Sequence, residues 1–168
     1  MQIIPSHFNG TAYRSRTEAR WAVFFDQLGI KVIYEPEGYI LEGKAYLPDF
    51  FIPDWPAYME IKGQNPSPVE VNKCNLLARE TGVPVLLMVG DPAFLTGRLS
   101  LPSVGYDAAW QDNMTIEKCR DCGQVGLTMH TPFGVDFHSF GRCGCQSVSI
   151  PLIDQASFAR NFRFGRVA

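Results

Sequence analysis

The run Val83-Pro84-Val85-Leu86-Leu87-Met88-Val89 is almost wholly apolar. A strand with apolar side chains on both faces belongs inside a sheet that is covered on both sides. Helices must therefore pack on each face, and the preceding sequence supplies them. Ser67-Pro68-Val69-Glu70 reads as a helix start. Ser67 is the cap, Pro68 the first helical residue and Glu70 the capping-box partner. That helix runs to about Glu80, and Thr81-Gly82 stops it. Residues 15–29 read as an earlier helix, with Ser15 and Glu18 in capping-box relation and Gly29 as the stop. At 100° per residue, Trp21, Ala22, Phe25 and Leu28 share one apolar stripe.

Three strand candidates lie between the helices. Residues 31–35 form the first, followed by the turn Pro36-Glu37-Gly38. Residues 45–52 form the second, where Pro48 marks an edge or a strand start. Residues 57–62 form the third, closed by Gly63. The Pro53-Asp54-Trp55-Pro56 connection suits an antiparallel hairpin between the second and third. The order helix, three strands, helix, strand predicts an α/β fold with a mixed sheet. After Gly90-Asp91-Pro92 the pattern weakens, and residues 91–115 read as an irregular connection. Residues 116–150 hold four cysteines between short β-like stretches. Asp154 is a candidate cap for a last helix, from about Gln155 to Arg163, with Ala156, Ala159 and Phe162 on one side. The chain therefore divides into a core over 1–92 and a smaller C-terminal region over 93–168. A length of 168 residues with 46% hydrophobic content supports one ordinary domain, or one compact domain plus a small appendage.

Glu18 falls on the apolar stripe of the first helix, where a charge is unexpected without a partner. Strand alternation puts Glu60 and Lys62 on one face, with Met59 and Ile61 on the other. Asp49 lies opposite Glu60 if the two strands pair in suitable register. Such a set suits Mg²⁺ or Mn²⁺, which take oxygen ligands. Asp49 and Glu60 would bind the ion directly, with the Ile61 carbonyl as a third ligand. The cation removes the repulsion between the two carboxylates. Lys62 would orient an attacking water or stabilise charge on a phosphoryl group, and Glu18 would bind a second metal or hold a water. Plainer readings exist for each residue. Glu18 completes a capping box, Asp49 is a turn residue beside Pro48, and Glu60 and Lys62 form a solvated strand face.

A net charge of −2 and a pI near 5.9 exclude binding to nucleic acid by bulk charge. Contact with DNA requires local patches. Arg14, Arg16 and Arg20 form one candidate, with Arg14 and Arg16 as the candidate substrate-binding residues. Arg160, Arg163 and Arg166 form another. Solvated helix faces are the alternative for both.

Three segments resemble the PD-(D/E)XK nuclease superfamily, over roughly residues 10–92. They are Tyr13-Arg14-Ser15-Arg16-Thr17-Glu18-Ala19-Arg20, Tyr46-Leu47-Pro48-Asp49-Phe50 and Met59-Glu60-Ile61-Lys62-Gly63. The helix carrying Lys73 and the stretch Thr81-Gly82-Val83-Pro84-Val85 continue the likeness. The resemblance implies a restriction-endonuclease-like α-β-β-β-α-β core and Mg²⁺-dependent DNA cleavage. It implies Glu18, Asp49, Glu60 and Lys62 as the active-site set, with Gln64 and Lys73 as accessory or DNA-contacting residues. Restriction enzymes, junction resolvases, transposase subunits and phage enzymes share this motif, so the substrate is not fixed by it.

Cys119-Arg120-Asp121-Cys122 is a C-x-x-C knuckle, and Cys143-Gly144-Cys145 is a tighter pair. Four thiolates make a closed tetrahedral Zn²⁺ site. His130 or His138 is an alternative fourth ligand, and four free thiols are the plain reading. No thioredoxin-like βαβ pattern surrounds the pair, which argues against a redox role. The segment looks like a zinc ribbon appended to the core. A structural zinc replaces a core that about 30 residues cannot build.

The sequence thus predicts a metal-dependent DNA endonuclease with a structural zinc module for DNA or partner contact. The alternatives are a non-catalytic DNA- or protein-binding module on the same fold, or a nuclease subunit of a larger transposition or phage machine. DNA is the expected partner, with a homodimer or a second protein also open. No apolar run approaches the ~20 residues that span a bilayer. The N-terminus lacks the pattern of a signal peptide, and the cysteine usage fits a reducing cytoplasm.

Overall fold

The computed structural model describes residues 5–92, 96–100, 111–131, 134–136, 143, 145 and 149–164. The chain opens with a hairpin of β1 (Ser6–Phe8) and β2 (Thr11–Tyr13). Asn9 and Gly10 connect them with φ of 47° and 78°, as a two-residue turn that follows the strand twist requires. Helix α1 (Arg16–Gln27) follows, with the Ser15 hydroxyl accepting the Glu18 amide at 3.2 Å. The chain then runs through β3 (Ile33–Tyr34), β4 (Tyr39–Leu41), β5 (Lys44–Tyr46), β6 (Phe50–Ile52) and β7 (Ala57–Lys62). Helix α2 (Pro68–Thr81) has the full capping box at Ser67 and Glu70, and it ends on Gly82 in the left-handed region at φ 68°. Strand β8 (Val85–Val89) comes next. Beyond it lie β9 (Thr96–Ser100), β10 (Gln111–Cys119), β11 (Val125–Thr131), β12 (Gly134–Asp136), β13 (Ser149–Pro151) and α3 (Ile153–Asn161).

Among the described residues, nine strands form one mixed sheet in the order β12-β11-β10-β9-β8-β7-β6-β3, with β13 also paired to β10. Strand β7 is parallel to β8 and antiparallel to β6. Strands β4 and β5 form a separate hairpin.

Alternation along the central strands sorts the core into two layers. Met59, Ile61, Leu86 and Met88 face one side, where they pack with Trp21, Phe24 and Phe25 of α1 and with Ala156 and Ala159 of α3. Tyr58, Val85 and Leu87 face the other, where they pack with Cys74, Leu77 and Ala78 of α2. Strand β8 is covered on both faces, as its unbroken apolar run requires. The same parity carries Glu60 and Lys62 to the α2 side of the sheet, away from Met59 and Ile61.

Four expectations change. The stretch 45–52 is two strands, because β5 pairs with β4 whereas β6 pairs with β7. Leu47, Pro48 and Asp49 separate them, and proline has no amide to continue a ladder. The stretch 91–115 is not wholly irregular. Strand β9 pairs with β8, and β10 begins at Gln111. The last helix starts earlier, at Ile153, with Leu152 in the cap position and no side-chain cap, so Asp154 sits inside the first turn. Finally, the sheet continues past residue 92. Ile116, Leu127 and Leu152 are buried in the same layer as α1, so the C-terminal region shares that core.

Candidate active site and cysteine cluster

The pairing of β6 with β7 matches Phe50 to Met59 and Phe51 to Tyr58. Continuing that register by one residue sets Asp49 opposite Glu60. Directly opposed residues on antiparallel strands point to one face. Both carboxylates are buried, 5% exposed in each case, beneath a cleft of about 950 Å³. Arg14, Ser15 and Glu18 wall the cleft on one side, with Lys62, Glu70 and Lys73 on another. The β4–β5 hairpin contributes Tyr39, Ile40, Ala45 and Tyr46.

All four oxygens of the opposed pair have donors. Asp49 Oδ2 accepts the Ile61 amide at 2.7 Å, and Oδ1 accepts an Arg14 guanidinium nitrogen at 2.9 Å. Glu60 Oε1 meets Lys62 Nζ at 2.7 Å, and Oε2 accepts the Tyr46 hydroxyl at 2.7 Å. The Ile61 amide faces β6, so its carbonyl faces the same edge. The Lys62 carbonyl faces the other way, since it accepts the Gly90 amide at 2.7 Å.

Burial and the neighbouring Glu60 raise the Asp49 carboxyl to about 8, against the opposing pull of the Ile61 amide and Arg14. For Lys62, burial works against the ammonium, but Glu60, Asp49 and Glu70 outweigh it, and its pKa is raised. Lys62 is therefore a fixed cation at neutral pH and not a proton acceptor.

Glu18 is 8% exposed at the start of α1. Its carboxylate accepts the Ser15 hydroxyl at 2.7 Å and the Tyr34 hydroxyl at 2.6 Å. Tyr34 in turn accepts the Arg14 amide at 2.9 Å. The Glu18 carboxylate thus bonds the Ser15 side chain, not the cap backbone amide that a capping box uses, and it is tied to Tyr34 of β3. Lys73 lines the cleft, whereas Arg16 and Gln64 are exposed outside its wall. Arg20 does not add to an arginine patch, because it pairs with Asp91 at 2.5 Å. Arg160 and Arg163 are exposed, and Arg166 lies outside the described residues.

Tyr46, Tyr34 and Glu35 are the site residues that sequence reasoning misses. Glu35 pairs with Arg14 Nε at 2.7 Å, and its amide donates to the Asp49 carbonyl at 2.9 Å. It holds a left-handed φ of 45°, rare for a residue with a side chain. No period in the sequence links these residues to the carboxylates, because each comes from an irregular stretch or a short strand.

Cys119, Cys122, Cys143 and Cys145 form the second site. All are free thiols, and their sulfurs lie within 4.8 Å of one another. The Cys119 amide donates to the Gln124 carbonyl at 2.8 Å, and the Gly123 amide to the Cys119 carbonyl at 3.0 Å. Gly123 supplies the φ of 76° that this tight knuckle needs. Hydrogen bonding to Cys143 and Cys122 pushes the Cys145 thiol up to about 12. Four sulfurs so placed can hold a metal ion. Glu18, Asp49 and Glu60 do not converge to that spacing. His138 and the side chain of His130 lie outside the described residues, as do Gly144 and Arg142.

No helix among the described residues is long and apolar enough to cross a membrane. No family model, curated protein or solved structure matches this chain.

Proposed function

We propose that the chain is a Mg²⁺-dependent DNA endonuclease of the PD-(D/E)XK type, with a structural zinc held by the four cysteines. The carrying observation is the opposition of Asp49 and Glu60 on adjacent strands, with Lys62 on the same face beside Glu60. The donor set fits a hard divalent cation: two buried carboxyl groups face each other, and burial together with the neighbouring Glu60 raises the Asp49 carboxyl to about 8, a cost that a cation would remove. Asp49, Glu60 and the Ile61 carbonyl would hold Mg²⁺ or Mn²⁺ at the floor of the cleft. The ion, when bound, supplies Lewis acidity toward a phosphodiester and its attacking water. Lys62 stands 2.7 Å from Glu60 as a permanent cation and stabilises the negative charge that develops on the phosphoryl oxygens. Glu18, held by Ser15 and Tyr34, orients water or a second cation from the opposite wall. Arg14 and Lys73 add local positive charge to a chain whose net charge is negative, and they hold the DNA backbone over the site.

The cysteine donors, all sulfur and fully protein-derived, suit a closed tetrahedral zinc with no open position. That argues for a structural role at the end of β10, toward DNA or a partner.

One observation favours a second reading. Arg14 and Lys62 already neutralise the carboxylates without a metal. A non-catalytic DNA- or protein-binding module, or a subunit of a larger machine, would need nothing more. Asp49→Ala and Glu60→Ala separate the readings. Loss of Mg²⁺-dependent cleavage with DNA binding retained supports the nuclease. Full biological activity in both variants removes it.

A further inference from the structure

Of the four donors that satisfy Asp49 and Glu60, three are held firmly. The Ile61 amide is part of the β7 backbone. Tyr46 is buried, and Lys62 is anchored between Glu60 and Glu70, at 2.7 and 3.5 Å. Arg14 differs. Its side chain is 53% exposed, and it reaches over Asp49 from the segment before α1. It also has a second carboxylate, Glu35, at 2.7 Å on its Nε. Arg14 is the more exposed of the two cations, and its contact with Asp49 can open while its short pair with Glu35 is kept.

We infer that Arg14 is a latch that links metal loading to phosphate binding. Without a divalent ion, its guanidinium occupies Asp49 Oδ1 at 2.9 Å. Asp49 and Glu60 would hold the ion with Arg14 moved off Oδ1, and Glu35 would retain the arginine at the cleft wall. The freed guanidinium nitrogens then face the cleft, where a planar fork suits a phosphodiester oxygen pair. Cation and phosphate so bind cooperatively, each by removing a cost that the other would meet alone. This rests on the nuclease reading for the identity of the ion and of the phosphate.

The test uses the full chain and a calorimetric titration with Mg²⁺ or Mn²⁺ alone, comparing wild type, Arg14→Gln and Asp49→Asn. Losing a competing charge-assisted bond tightens metal binding in Arg14→Gln by about tenfold. Unchanged or weaker binding in Arg14→Gln overturns the latch while leaving the nuclease reading intact. Absence of Mg²⁺ and Mn²⁺ binding to both wild type and Arg14→Gln overturns the two together. A crystal structure of the wild type with Mn²⁺ gives a second readout. Arg14 should have left Asp49 and kept Glu35. An intact Arg14–Asp49 pair beside a bound ion refutes the inference even if Arg14→Gln binds more tightly, since simple charge removal would then explain the gain.

Discussion

The carboxylate cleft and the cysteine cluster solve the same problem, keeping like groups close, in different ways. In the cleft, Asp49 and Glu60 stand on paired strands, and the protein itself supplies countercharge through Arg14 and Lys62. In the cluster, four sulfurs are drawn together at the end of β10, and their described hydrogen-bond neighbours are mostly one another. The first site is built on sheet and helix, and its carboxyl oxygens have protein donors. In the second, Cys119 ends β10 and Cys122 lies in the turn after it, and a metal would replace the weak bonding between thiols. On the proposed reading, a metal would be a tool for the cleft and a structural element for the cluster.

Stripping the cluster should have the largest effect. Chelation of zinc, or Cys122→Ser, is expected to lower Tm by about 10 °C or more. Removing Mg²⁺ alone should leave Tm nearly unchanged. Thermal melts with metal analysis before and after chelation check both. If the two sites respond alike, the contrast between them is wrong.

In the cleft, Asp49→Asn or Glu60→Gln should cut Mg²⁺-dependent cleavage by about a hundredfold or more, since on the proposed reading each would remove a metal ligand. The fold should survive, as read by circular dichroism. Unfolding of either variant would mean that these carboxylates are structural pillars.

The raised Asp49 pKa adds a pH signature to the Mg²⁺-free protein. The folded state holds this proton up to about pH 8, whereas an unfolded Asp releases it near 4. Between those values the folded state binds more protons, so stability falls as pH rises. The contribution is fully present below about pH 4 and lost through pH 8. Asp49→Asn should flatten this part of the profile and be the more stable protein at pH 8. Urea melts across pH 5–8 report it, and a wild-type profile that rises over that range would contradict the cause assigned.

Tyr46→Phe should give the smallest change. Glu60 loses one donor in a buried position, at a cost of about 1–3 kcal/mol, and cleavage should fall several-fold through a less fixed Glu60. Steady-state kinetics with a parallel urea melt separates the two.

The central fold was readable where side-chain periodicity is strong. The unbroken run of β8 and the capping box of α2 named their elements directly, and the alternation of β7 sent Glu60 and Lys62 to one face. Short strands were harder. β4 and β5 hold three residues each, too few for a period, and their hairpin is written only in the Glu42-Gly43 turn, with φ of 48° and 75°. The β1–β2 hairpin likewise rests on Asn9-Gly10. Beyond residue 92 the strands join a sheet already begun, so their pairing depends on β8 and not on any local signal. For the candidate site, Glu18 stood out because a charge on an apolar stripe needs a partner, and Glu60 and Lys62 because strand alternation puts them on one face. The hydroxyls of Tyr34 and Tyr46 were not, because an aromatic residue in a strand is ordinary.

The most direct test of the account is cleavage by the purified chain of single strands, duplexes, forks and junctions, with Mg²⁺ and with EDTA, beside Asp49→Asn. The account predicts products with Mg²⁺ on at least one substrate, none with EDTA, and almost none from the variant. No Mg²⁺-dependent product on any substrate, or equal cleavage by Asp49→Asn, would contradict it.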